Sequence, residues 1–256
     1  MISYLNLLSG IGMIAVGAGA IGYWHVKKHP RIEYFLYGAI LWACAIAIKL
    51  AMDLTITQPI QSYFKSTLPI ITVLIIMSLY VGLRTGIFEG GIVYIAVRYL
   101  KLSNMSWKDA VAMGIGFGGA EAIILGILSL AETIVFMSMP ILFYSLPLAT
   151  QDQFTLALIP LPIFERLFTL FLHTFTVVLA VYAVKLNDLR WLWLSMGLKT
   201  IVDGALPIFN YYTVSLGMYS SVPVEVYVAF IGIISLAGLS WFGKKYAGGA
   251  PDARQA

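Results

Sequence analysis

Seven stretches of this chain are apolar for about the 20 residues that a helix needs to cross a bilayer core. They are residues 7–26, 34–53, 68–100, 109–130, 163–184, 191–210 and 224–241. A backbone in lipid has no water to bond, so each such stretch must close its hydrogen bonds internally as a helix. The expected fold is all-α, a polytopic transmembrane bundle of about seven spans. Composition agrees: 60% of the 256 residues are apolar and 11% charged, against roughly a quarter charged in soluble domains. Residues 1–246 read as a single transmembrane domain and residues 247–256, small and polar, as a disordered tail. The third stretch is long and is interrupted by Arg84-Thr85-Gly86, which predicts a tilted, bent or re-entrant path.

Charge sets the orientation. Lys27, Lys28 and Arg31 follow the first span, Arg98, Lys101 and Lys108 flank the end of the third, Lys185 and Arg190 follow the fifth, and Lys244 and Lys245 follow the seventh. The other connections are nearly free of Lys and Arg, so the positive-inside rule places the N-terminus outside and the C-terminus in the cytoplasm, in a multi-pass protein of the cell membrane. The net charge of +4 is explained by these juxtamembrane clusters and does not imply nucleic acid. Residues 1–6 have no basic segment ahead of the first apolar run, which reads as a retained first helix, not a cleaved signal. Trp24, Tyr34, Tyr63, Trp107, Trp191, Tyr212 and Trp241 fall near span ends, as interfacial aromatics do, although each could also be a core aromatic. Residues 131–162, apolar but rich in proline, suggest a half-helix lying in the interface.

Charges inside spans are costly unless paired or watered, so each marks a candidate site. At a rise of about 1.5 Å per residue, Glu89, Glu121, His173 and Asp203 lie roughly 16–18 Å from their cytoplasmic helix ends and Lys199 roughly 12 Å. Ionisable groups from four spans thus fall at one depth. Lys199 and Asp203 are four apart and could neutralise each other. Lys49 and Asp53 have the same spacing near the expected outer end of the second span, which suggests a snorkelling pair. Glu165 and Arg166 are expected at the outer rim, as anchors or as the edge of a pocket. His25 and His29 lie among lysines at the membrane face and read as a solvated basic loop. The lone Cys44 excludes an intrachain disulfide and a thiolate metal cluster. Gly17-Ala-Gly19-Ala-Ile-Gly22 and Gly114-Ile-Gly116-Phe-Gly118-Gly119 match a dinucleotide-binding pattern, but inside spans they point to close helix packing.

Gly86-Ile-Phe-Glu89, Gly118-Gly-Ala-Glu121-Ala, Glu165-Arg166 followed by His173, and Lys199 four before Asp203 together resemble the YhfC family. That family belongs to the CAAX-processing-protease-like superfamily of intramembrane proteases, with the PrsW-type proteases and the anterior-pharynx-defective subunit of gamma-secretase. The resemblance implies that Glu89, Glu121 and Asp203 stand at positions of active-site acids and His173 at that of a ligand histidine, around a metal or an activated water. It also shows departures: Gly90 stands where a second acid is expected, Val93 where an arginine is, and Phe117 and Lys199 at two histidine positions. A catalytic zinc takes three protein ligands, and a lysine at a ligand position repels it.

Three readings follow. The first is a member without a complete metal site, a membrane scaffold or a subunit binding a transmembrane helix or lipid, with Glu89, Glu121, Lys199 and Asp203 as a structural polar network. The second is an active peptidase, metal-dependent with zinc or glutamate-dependent, using Glu89 or Glu121 as base. The third is a small proton-coupled transporter, since midplane acids, histidines and lysines also make proton relays. Expected partners are the bilayer and another membrane protein or transmembrane helix.

Overall fold

The structure, a computed structural model, describes residues 3–100, 102–215 and 222–246. Seven helices among them are long and apolar enough to cross a membrane: α1 (Leu7–Lys28), α2 (Glu33–Thr67), α3 (Ile70–Tyr99), α4 (Trp107–Ser138), α5 (Pro160–Lys185), α6 (Leu189–Ser215) and α7 (Val222–Tyr246). No strand occurs among the described residues. Large apolar side chains such as Leu36, Ile75, Ile127 and Phe230 are exposed on the outside of the bundle, the surface a lipid solvent requires and water would penalise. The chain is a multi-pass membrane protein.

The expected span boundaries hold near one end of each helix and are too short in α2 and α4. α2 does not stop at residue 53: a π-helical turn at Asp53–Thr57 carries it on to Thr67. α4 runs to Ser138, so residues 131–138 are transmembrane-type helix and not connection. The rest of that connection is two short helices, Pro140–Tyr144 and Leu148–Asp152, in place of one interfacial half-helix. The third apolar stretch does not re-enter. It forms one continuous helix whose irregularity is a π-helical turn at Gly86–Gly90. The proposed tail at 247–256, Lys101, and part of the α6–α7 connection lie outside the described residues.

α5 is the central helix. Leu172 to Ala183 are all buried in an unbroken run, matched by the Asp109 to Gly119 run of α4 against which it packs. Without a hydrophobic drive between helices in lipid, close packing does the work, and small residues permit it. A Cβ placed on Gly17 would come within 3.0 Å of the Gly119 carbonyl oxygen, on Gly116 of the Phe35 backbone, and on Gly114 of the Thr174 backbone. Gly17 of the first glycine-rich motif, and Gly114, Gly116 and Gly118 of the second, therefore mark the contact lines of α1, α2 and α5 on α4, while Gly19 and Gly22 face open space. α4 opens with a capping box, Ser106 accepting from the Asp109 N–H while the Asp109 carboxylate accepts from the Ser106 N–H at 3.2 Å.

Contacts fix the helix directions. Gly114 meets Thr174 and Gly118 meets Leu170, so α4 and α5 are antiparallel; Gly10 meets Gly126 and Gly17 meets Gly119, so α1 is antiparallel to α4. Gly232 meets Phe168 and Gly238 meets Phe175, so α7 runs parallel to α5. At the end where α1, α5 and α7 finish, Trp107, Tyr182, Trp191, Phe242 and Tyr246 form an aromatic cluster, with Tyr182 and Phe242 centroids 5.1 Å apart. Trp107 and Trp191 thus serve as packing aromatics near the membrane face. Between α5 and α6, outside the spans, Asp188 is held below the usual carboxylate range by hydrogen bonds from the Arg190 side chain.

Candidate functional site

The depth arithmetic converges on a real cluster. Glu89 sits in the π turn of α3, Glu121 on α4, His173 on α5 and Lys199 on α6; Glu89, His173 and Lys199 are buried. Lys199 Nζ donates to Glu89 Oε2 and contacts His173 Nδ1. His173 Nε2 lies 3.0 Å from Glu121 Oε2, and its Nδ1 lies 3.7 Å from Glu89 Oε2. An ammonium can only donate, so His173 Nδ1 accepts and the ring proton sits on Nε2, which donates to Glu121. This tautomer is assigned from the partners. His173 is then neutral, with its one ring lone pair directed at Lys199.

Two side chains complete the cluster that sequence spacing assigned elsewhere. Lys49 does not pair with Asp53. Its ammonium donates to Glu89 Oε1, so Glu89 lies between two lysines. Because α2 continues past Asp53, Lys49 is in mid-helix, away from any interface. Asp53 instead meets Arg84, which also donates to the Thr57 hydroxyl at 3.2 Å beside the π turn of α2. Trp42, two turns before Lys49 on the same face of α2, donates its indole N–H to Glu121 Oε2 at 3.0 Å. Trp42 lies in mid-span, and nothing in the sequence around it signals a polar partner.

Arg166, expected at the rim, is buried and reaches inward to Glu121 Oε1 while holding Glu165 with its other nitrogen. Glu165 remains at the rim, its side chain 30% exposed. The expected Lys199–Asp203 pair does not form. Lys199 is drawn to Glu89, and Asp203 accepts from the Thr85 hydroxyl at 2.7 Å. Among the described residues Asp203 makes no ion pair. A cavity of about 360 Å³ opens beside these groups, lined by Glu89, Glu121, Arg166, His173, Lys199 and Asp203, with apolar walls from α2, α4 and α7.

The family model for YhfC intramembrane metalloproteases matches residues 12–228. The chain belongs to that family. No curated protein and no solved structure matches it.

The name of the YhfC family implies a metal, and the donor chemistry here can be tested against one. Zinc needs deprotonated carboxylates or imidazole lone pairs aimed at a common point. Among the described residues no group of three His, Cys, Asp or Glu side chains is so arranged. Glu89 faces two ammonium groups and Glu121 faces a guanidinium, an indole and the imidazole. The His173 lone pair meets Lys199, and the Phe117 ring stacks on the imidazole with centroids 5.2 Å apart. The residues present do not fit a metal: the cations already stand where it would be needed. Lys49 and Lys199 thus neutralise Glu89, and Arg166 neutralises Glu121, within the cluster itself.

Proposed function

We propose that this YhfC-family chain is a non-catalytic member, a membrane scaffold that receives a transmembrane helix of a partner against the cavity between α2, α4 and α7. The observation carrying this reading is that both candidate general bases, Glu89 and Glu121, spend their oxygens on lysine, arginine, indole and imidazole donors. A base must meet the proton it removes directly or through one water, and these carboxylates are already engaged. The buried ions instead join α2, α3, α4, α5 and α6, and each leaves its partners stranded if removed. The cavity offers apolar walls with a polar floor, which suits a helix carrying one polar residue.

The test is metal content of the detergent-purified protein by elemental mass spectrometry, compared with His173→Ala. The expected result is no stoichiometric metal in either sample. About one zinc per chain, absent from His173→Ala, would overturn the reading and restore the three-ligand peptidase.

A second reading rests on Asp203, the one midplane acid that faces a hydroxyl and no cation while lining the cavity. In a metal-free peptidase it would serve as the base. Asp203→Asn would then abolish cleavage of a membrane substrate that Glu121→Gln leaves intact.

A further inference from the structure

On the far side of α5 from the polar centre, a cleft of about 250 Å³ runs between α1 and α7 and is floored by α4 and α5. Ala20 and Trp24, Ile115, Phe171, and Leu236 with Leu239 line it. Two of its polar groups are already used: the Trp24 indole N–H donates to the Lys108 carbonyl at 3.0 Å, and the Thr174 hydroxyl donates to the Leu170 carbonyl at 2.7 Å; the third, the Tyr23 hydroxyl, belongs to an exposed side chain. An occupant of the cleft therefore meets walls that are almost wholly carbon. The occupant's other end is marked by charge. Ala20, Tyr23, Trp24 and Lys27 recur at helical spacing on one face of α1, so the cleft-lining stripe runs directly into Lys27. Lys28 flanks that stripe, and Lys244 stands on the last turn of α7.

Because α1 and α7 run parallel, these lysines end at the same face of the bundle. All three are exposed, and none makes an ion pair among the described residues. The other basic groups there are engaged: Lys108 donates to the His29 carbonyl at 3.1 Å, Arg31 lies 3.4 Å from Glu33, and Lys245 stacks over Trp241 and Tyr246.

We propose that this cleft binds one anionic phospholipid, an acyl chain between α1 and α7 and its phosphate at Lys27, Lys28 and Lys244. Charge complementarity selects the occupant, since an apolar slot ending in free cations fits an anionic headgroup better than a zwitterionic one. The site is separate from the polar centre and does not depend on the scaffold reading.

The test is native mass spectrometry of the whole detergent-purified protein titrated with phosphatidylglycerol or with phosphatidylcholine of the same chains. One phosphatidylglycerol is expected to be retained at least about tenfold more tightly, the worth of one to two such charges near a surface. Lys27→Gln/Lys28→Gln/Lys244→Gln, all at exposed positions, should erase the preference. Ala20→Phe, which fills the cleft, should weaken retention of both lipids. Equal retention of the two lipids, an unchanged preference in the triple variant, or a co-purifying protein segment that excludes lipid from the cleft would each overturn the proposal.

Discussion

His173 presents a neutral ring to an ammonium on one nitrogen and a carboxylate on the other, and Glu89 is gripped by Lys49 and Lys199 together. Such arrangements are asymmetric in energy: a complete set of buried ions is nearly neutral to stability, while removing one partner strands the rest. Lys199→Met should therefore cost about 3–5 kcal/mol of stability in detergent. Asp203→Asn, which trades a hydroxyl–carboxylate bond for a hydroxyl–amide one, should cost no more than about 1.5 kcal/mol. Thermal or chemical unfolding of the two purified variants measures the contrast, and equal losses would mean that the pairing around Glu89 carries no weight. At this scale Glu89, Glu121, His173 and Lys199 were legible from depth alone. Lys49 was not, because its depth was counted from a span end placed at residue 53, and no local rule signals a π turn that lets a helix continue. Asp203 and Lys199 share a helix face, yet a carboxylate held by α3 outcompetes the one four residues away.

The helices are set by where backbones can touch. Gly116 has the Phe35 backbone where its side chain would be, and backbone cannot yield as a flexible side chain would. Gly19, on the neighbouring glycine-rich stretch, has open space. Gly116→Ala should force α2 from α4 and lower stability by about 1–3 kcal/mol. Gly19→Ala should be neutral or gain up to about 1 kcal/mol from helix propensity. Thermal melting followed by size-exclusion chromatography distinguishes them, and similar behaviour of the pair would refute close packing as the purpose of these motifs. The sequence pattern indicated packing in place of nucleotide binding because both motifs lie within spans. Which glycine touches which helix depends on helix rotation, and a helix with apolar residues all round carries no moment to reveal it.

Across the whole molecule, number and identity of the spans followed from apolar length, and the helix directions agree with an odd number of crossings. The side of the membrane on which each end lies is an expectation from the basic clusters. In a Cys44→Ser background, Ser3→Cys should react with a membrane-impermeant thiol reagent in intact cells, and Ser103→Cys only after lysis. The reverse pattern would invert the orientation.

The order of the charges along the chain has a consequence for synthesis. Lys49 on α2 meets its counter-ion on α3, and Glu121 on α4 meets Arg166 on α5, whereas Lys199 on α6 has its counter-ion back on α3. For a chain delivered from its N-terminus, the first two of these contacts can therefore form between consecutive helices as they enter the membrane. The late-arriving Lys199 reaches back three helices and closes onto an acid that Lys49 has already sheltered.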